Sequence, residues 1–242
     1  MSKKSKYDKM VVGVVGGMGS YATLHFFEEF LKATPAEKEW DRPRIIIDNR
    51  CTMPSRVRAI LYEEERALLV KQLADSIAHL IDAGCTHIVL ACNTSHVFLD
   101  EVYKLVPDAH SRVIHIIDTV AKAMQKQGVK TAAFIATEGT IMSGIFESVC
   151  AGRDIALSAP PEEDFIELRD LIEAVKKNEI TDDICNRFVN MIKKQSEISG
   201  CNDIILGCTE FPCIYSKAAP LLEGSGLTIW DPLQETIKKI TA

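Results

Sequence analysis

The chain lacks the features that would send it to a membrane or to a nucleic acid. No apolar stretch approaches the roughly 20 residues needed to cross a bilayer. No basic stripe follows the N-terminal Lys3-Lys4-Ser5-Lys6, and the formal net charge is −6 over 242 residues, so nucleic acid and anionic lipid are poor partners. The eight cysteines include no Cys-x-x-Cys, no Cys/His group has zinc spacing, and Cys208 and Cys213 have no matching second half, so no metal site is expected. Also missing are G-x-G-x-x-G, the Gly-Lys-Ser/Thr of a P-loop, and any low-complexity linker. What remains has ordinary globular proportions, 47% hydrophobic and 26% charged, and a length suited to one large or two small domains.

The start imitates a signal peptide, because basic Met1–Lys9 precedes apolar Met10–Val15. The apolar run is short, breaks at Gly16-Gly17, and leads into the amphipathic Phe26-Phe27-Glu28-Glu29-Phe30. It reads as a first strand, and the expected setting is the cytoplasm. Most cysteines there stay reduced, and Cys85, Cys150, Cys185 and Cys201 read as small apolar core residues.

Two short stretches are copies of one idea: His87-Ile88-Val89-Leu90-Ala91-Cys92-Asn93-Thr94 and Asp203-Ile204-Ile205-Leu206-Gly207-Cys208-Thr209-Glu210. Each is a branched apolar run, then a small residue, cysteine and a polar residue able to open a helix. Such a run reads as a buried parallel strand that delivers a thiol to its carboxyl edge. That edge is where open α/β sheets bind ligands.

Strand-like and helix-like runs alternate around these motifs. Val11–Val15, Arg44–Asp48, His87–Ala91 and Val113–Ile117 read as strands, with helices at about Tyr21–Ala33, Tyr62–Ala83 and Val97–Val106 between them. The pattern restarts with strands at Lys130–Ile135, Asp154–Leu157, Asp203–Leu206 and Leu227–Trp230. Helices at about Ile141–Ala151, Glu163–Lys177 and Asp182–Ser199 accompany them, and a last helix opens with Asp231-Pro232. Gly16-Gly17-Met18-Gly19-Ser20 and Ala136-Thr137-Glu138-Gly139-Thr140 end the first strand of each half. The distances from Gly19 to Cys92 and from Gly139 to Cys208 nearly match, which argues for a duplicated unit. The expected fold is α/β: two pseudo-symmetric parallel-sheet domains with the active site in the cleft between them. The expected boundaries are 1–117, completed by the C-terminal helix 231–242, and 118–230.

Two thiols facing one cleft could form a disulfide, bind a metal, or act as acid and base on a small ligand. A reducing compartment disfavours the disulfide. A metal would need further ligands, and the nearest candidate, His96, reads better as a packed or polar neighbour. Acid–base work fits best. Inverting a carbon between an ammonium and a carboxylate requires a base on one face and an acid on the other, and a thiolate and a thiol supply both. A helix N-terminus beside each cysteine is expected to favour the thiolate, and Asn93, Thr94 and Thr209 to offer polar groups to a carboxylate or enolate-like oxygen. The glycine loop has two compatible readings, a tight strand–helix turn or a nest of N–H groups for a carboxylate.

The stretches G-G-M-G-S-Y-A-T (16–23), A-C-N-T-S-H (91–96), A-T-E-G-T (136–140) and G-C-T-E-F-P (207–212) resemble the aspartate/glutamate racemase superfamily, specifically its aspartate racemase branch. The likeness runs in order from Val11 to Asp231-Pro232. Glu210 matches the aspartate-type motif, where glutamate racemases of the cell-wall pathway typically carry histidine. The resemblance implies a cofactor-independent two-base racemase with Cys92 and Cys208 as the bases, an amino-acid substrate, and a homodimer. It further implies that an arginine and a lysine bind the substrate carboxylate. These map to Arg56 in Pro54-Ser55-Arg56, where Ser55 replaces the usual aspartate, and to Lys176. Strand-end positions complete the expected substrate contacts: Met18, Gly19 and Asn49 in the first half with Asn93 and Thr94, and Thr137, Gly139, Thr140 and Thr209 in the second. The reading is a racemase acting on aspartate, glutamate or both. Its rivals are a broad-specificity racemase or related isomerase or decarboxylase, and a non-catalytic α/β module that binds a small acid.

Overall fold

Runs such as Ile88-Val89-Leu90 and Ile204-Ile205-Leu206 have no polar face, so their strands must be covered on both sides. All six side chains are fully buried. The computed structural model describes residues 6–242; Lys3, Lys4 and Ser5 of the basic start lie outside the described residues. The first half runs β1 (Val11–Gly16), α1 (Ser20–Ala33), β2 (Arg44–Asn49), α2 (Arg56–Leu61), α3 (Arg66–Asp82), β3 (His87–Leu90), α4 (Leu99–Leu105), α5 (Ala109–Arg112) and β4 (Val113–Ile114). After α6 (Ile116–Lys126) the second runs β5 (Thr131–Ile135), α7 (Glu138–Ser143), α8 (Ile145–Ala151), β6 (Ala156–Ser158), α9 (Phe165–Lys176), α10 (Asp182–Ser199), β7 (Asp203–Leu206), α11 (Phe211–Ala218) and β8 (Thr228–Trp230). The last helix is α12 (Pro232–Thr241).

The strands form two four-stranded sheets, all parallel, ordered β2-β1-β3-β4 and β6-β5-β7-β8. The order is the same in each half. The strand order reverses between β1 and β3 in one sheet and between β5 and β7 in the other, the point where parallel sheets open a crevice at their carboxyl ends. The glycine loop and Cys92 follow β1 and β3; Ala136–Thr140 and Cys208 follow β5 and β7. The duplicated motifs therefore occupy equivalent switch points.

Several boundaries differ from the sequence reading. The long helix expected over Tyr62–Ala83 is α3 and begins only at Arg66; a turn in which Glu63 and Glu65 adopt φ of 56° and 50° separates it from α2, a helix where the sequence reads as a polar segment. Arg56 consequently opens a helix rather than sitting in a loop, with the Ser55 hydroxyl accepting the Arg58 N–H as its cap. The strand expected over Val113–Ile117 stops at Ile114. The His115 ring accepts the Asp118 N–H and starts α6, which the alternation of strands had hidden. Ile116 and Ile117 are buried in its first turn, where periodicity cannot tell a short strand from a helix start. Gly144, at φ 66°, divides the helix expected over Ile141–Ala151. α12 packs against both α1 and α6 and brings Leu233, Ile237 and Ile240 into a core shared with Phe26, Phe30 and Val120. No helix among the described residues is long and apolar enough to cross a membrane.

His96 ties the end of β3 to the start of α6. Its Nδ1–H donates to Cys92 O at 3.0 Å, and its Nε2 accepts from Ile116 N–H at 3.3 Å. Both ring nitrogens are thus committed to backbone, in the neutral tautomer. Burial, followed by the neighbouring His115, lowers its pKa to about 3. Unfolding returns it to about 6.5, so between those values the unfolded chain binds the extra proton and stability falls as pH falls. Chemical denaturation at pH 7 and pH 5 should show wild type losing about 2 kcal/mol more than His96→Gln. Asp231, whose buried carboxyl rises to about 6, slopes the opposite way but is common to both proteins. Equal losses in the two would show that His96 can protonate in the folded state.

Gly17 has φ +82°, and a Cβ there would lie 2.5 Å from the Arg50 carbonyl carbon. Gly84 has a similar φ of +86° but open space around it. Gly17→Ala should therefore cost about 1–3 kcal/mol more than Gly84→Ala in the same denaturation measurement. Equal costs would mean that the β1 loop yields to the added methyl.

Candidate active site

The backbone pairing continues one residue past each central strand. Ala91 N–H donates to Val15 O at 3.0 Å, and Gly207 N–H donates to Ile135 O at 2.7 Å. The small residue before each cysteine has a local cause in the second half: a Cβ on Gly207 would sit 2.9 Å from Ile135 O. The thiol that comes next is carried to the sheet edge by a strand with no freedom to slip. Hydroxyls then tie the halves together. Thr209 Oγ1 donates to Ala91 O at 3.1 Å, the carbonyl just before Cys92. Thr94 Oγ1 lies 2.7 Å from Thr140 Oγ1, which is 2.8 Å from Thr137 Oγ1.

Both thiols border one inner chamber of about 60 Å³, together with Met18, Ser55, Arg56, Val57, Thr94, Thr137, Ile172, Lys176 and Glu210. An outer vestibule of about 400 Å³ shares Ser55, Val57, Thr137, Ile172 and Lys176 with it and adds Arg58, Tyr62, Phe165, Arg169 and Glu173. Among the expected positions, Cys92, Cys208, Met18, Arg56, Thr94, Thr137 and Lys176 thus meet. The others do not border that chamber. Gly19 gives room to Glu210, whose Oε1 would be 2.8 Å from an added Cβ. Gly139 lies against Val57, while Thr140 and Thr209 hold the hydroxyl ties described above. Asn49 is exposed at the end of edge strand β2, donating to Ser20 Oγ at 3.0 Å and Cys51 Sγ at 3.3 Å. Asn93 is buried, with neither amide atom partnered among the described residues.

Sequence reasoning did not select Glu210, Ser55, Val57 or Ile172. Glu210 carried a usable signal, an acid placed two residues after a strand-end thiol. Val57 and Ile172 carried none, since an apolar residue on a helix reads as core. The glycine loop also divides differently. Gly17 N–H is taken by Thr23 Oγ1 at 3.2 Å, so it serves the turn and is not offered to a ligand.

The electrostatics around Cys208 oppose the expected help from a helix N-terminus. Burial, then the charge and hydrogen bond of Glu210, push the Cys208 thiol well above its ordinary range. Its Sγ donates to Glu210 Oε2 at 2.9 Å. A full negative charge in contact outweighs the partial charge of α11's first turn. On the Cys92 side the chain continues as a 3-10 turn, Thr94–Phe98, before α4 begins.

Among the described residues Arg56 is held by carbonyls, not carboxylates. Its Nη1 donates to Pro54 O at 3.1 Å and its Nη2 to Met18 O. Its Nε is buried without a partner. The vestibule cations are paired: Arg169 with Glu138 at 2.7 Å, Lys176 with Glu173 at 2.7 Å, and Arg58 with Glu64. Burial pulls the Lys176 ammonium down, but the hydrogen bond to Glu173 and the charge of Glu210 outweigh it and raise the group overall.

Comparison with known proteins agrees with this layout. The pattern of the Asp/Glu/Hydantoin racemase family matches residues 15–240. The chain is 27% identical over 146 residues to the broad specificity amino-acid racemase RacX of Bacillus subtilis, covering 59% of this chain and 61% of that protein. It is 26% identical over 175 residues to a glutamate racemase of Aquifex aeolicus, covering 71% and 64%. The matches thus span less than two thirds of these relatives. Over nearly the whole of both chains, 96% and 94%, the structure superposes on the Picrophilus torridus aspartate racemase, with a TM-score of 0.79 and 27% identity. With two like parallel sheets, a thiol at each switch point and a family pattern spanning nearly all of it, the chain belongs to the Asp/Glu/Hydantoin racemase family.

Proposed function

We propose that the protein is a cofactor-independent amino-acid racemase that interconverts the L and D forms of aspartate, glutamate or both, with Cys92 and Cys208 as its two bases. The observation that carries this reading is that both thiols border one chamber with Arg56 and Lys176. A thiolate on one side removes the α-hydrogen, and the thiol on the other protonates the opposite face of the carbanion. Because each sulfur holds a single proton, the group that abstracts is not the group that donates.

The substrate carboxylates need donors, and buried polar groups without partners indicate where. Among the described residues Arg56 Nε, on the chamber's border, is in that state, and so is Asn93 Nδ2, next to Cys92 in the chain. Arg56 is already braced through its terminal nitrogens, so binding an anion costs it little side-chain freedom. Lys176 supplies a second cation at the border between chamber and vestibule. The relatives named above act, by their names, on aspartate, on glutamate or on a broad set of amino acids. The broad reading has one observation of its own. Ser55 borders both chamber and vestibule, so a longer side chain would have somewhere to extend. Assembly as a homodimer in the cytoplasm, and a division of the chain into 1–117 with 231–242 against 118–230, belong to the same proposal.

A chiral assay of the purified protein, without pyridoxal phosphate, tests the reading and separates it from a binding module. Run in deuterated water and stopped early, the reaction should place deuterium at Cα of the product enantiomer while the remaining substrate stays largely protonated. Cys92→Ala and Cys208→Ala should each abolish inversion. Label entering both enantiomers at equal rates would point to one polyprotic base and sink the two-thiol mechanism.

Arg56→Lys should lower kcat/KM for acidic substrates by roughly 10- to 100-fold, because a point charge cannot replace the planar fork. The loss for neutral amino acids should be smaller. Equal losses for aspartate and alanine would show that Arg56 does not read the side-chain carboxylate.

A further inference from the structure

The two-thiol chemistry gives Glu210 no task, yet this acid is only 3% exposed and borders the chamber. Its Oε2 receives the Cys208 thiol at 2.9 Å. Thr209 offers one hydroxyl proton to two acceptors, Ala91 O at 3.1 Å and Glu210 Oε2 at 3.4 Å, so the thiol is the closer donor to the carboxylate. Among the described residues Glu210 Oε1 has no partner, and it faces Gly19, where only a missing Cβ makes room for it. The carboxyl is thereby held against one sulfur and not the other.

The charged and titratable groups facing this pair are few. Lys176 reaches it from α9, but its ammonium is hydrogen-bonded to Glu173 instead. Cys92 borders the same chamber, and Arg56 aims its terminal nitrogens at backbone carbonyls. Cys213 on α11 also feels Glu210 and is pushed up to about 12, by burial first. None of these contacts the Glu210 carboxylate as closely as Cys208 does.

We propose that Glu210 is a positioning residue that keeps the Cys208 proton on sulfur in the resting protein, making Cys208 the resting acid and Cys92 the resting base. This rests on the racemase reading above. In the forward step the Cα–H bond breaks as the Cys92 S–H bond forms. The Cys208 S–H bond then breaks as a new Cα–H bond forms on the opposite face, and Glu210 remains a carboxylate throughout. The step leaves a Cys208 thiolate beside that carboxylate, a buried like-charge pair, so the protein tends to return to its resting form. The enantiomer whose α-hydrogen faces Cys92 meets that resting form directly. Its mirror image must wait for the minor one.

The test tracks the proton on Cys208 in the full-length chain. Ultraviolet thiolate absorbance is titrated for wild type and for Glu210→Gln, each against the same protein carrying Cys208→Ala. Glutamine keeps the size and an acceptor oxygen, so a purely structural role would leave the midpoint in place. The expected result is a Cys208 midpoint lower by about one pH unit or more in Glu210→Gln, a tenfold larger thiolate population below it. An unchanged midpoint would overturn the proposal. Should Glu210→Gln fail to fold, the infrared S–H stretch of wild type decides. A Cys208 band present at neutral pH and lost in Cys208→Ala supports the resting acid, and its absence overturns it. A shifted midpoint in a protein that racemises no amino acid would instead remove the reading on which this one rests. Racemisation with an unmoved midpoint removes the Glu210 role alone.

Discussion

One hydroxyl bond sets the geometry on which the site depends. Thr209 follows Cys208 in sequence, and its Oγ1 donates to the carbonyl of Ala91, the residue before Cys92. The two thiols are therefore linked through a side chain of one half and the backbone of the other, rather than merely placed on facing domains. Thr94 supplies the reverse tie, from two residues beyond Cys92 to Thr140 at the start of α7. Buried hydrogen bonds of this kind resist being pulled apart, because neither partner finds water in the opened state until the cleft itself opens. The two sheets can then share one chamber without a common strand.

Legibility in the sequence followed chemistry that repeats. The strand-end cysteines could be read because an apolar run, a small residue and a thiol recurred at matching distances, and the runs are strands β3 and β7, fully buried after their first residues. The parallel two-sheet architecture followed from alternation alone. The features that escaped were local. Ser55 capping α2, the left-handed Glu63 and Glu65, and the His115 cap of α6 each depend on one or two backbone angles, which periodicity does not encode. Arg56 was selected by resemblance. Its bracing by Pro54 O and Met18 O arises only on folding, since Met18 is 38 residues away in sequence.

Two residues that border the chamber carry unmet polar atoms. Arg56 Nε and Glu210 Oε1 are buried without partners among the described residues. Each lost hydrogen bond carries a cost of roughly 1–3 kcal/mol, and a fold selected for stability alone would remove it. Arg56 brings a donor suited to a carboxylate. Glu210 brings an acceptor and a charge, which would repel that same carboxylate if it approached Oε1. An anionic ligand is therefore drawn to the Arg56 side and kept from the Glu210 side, so the unmet groups orient it as well as bind it.

That polarity also bears on the vestibule. Arg58, Arg169 and Lys176 stand at its wall with Glu64, Glu138 and Glu173 as partners. Exposed pairs of this kind contribute little to stability, about 0–1 kcal/mol each, and exchange partners readily. An entering dicarboxylate would meet cations already paired with carboxylates, whereas deeper in it would meet Arg56, whose contacts are carbonyls. The gradient of available positive charge runs inward, toward the two thiols. Arg56 thus sits where steering by the outer surface ends and recognition at close range begins, which fits a site whose selectivity is decided in the chamber and not at its mouth.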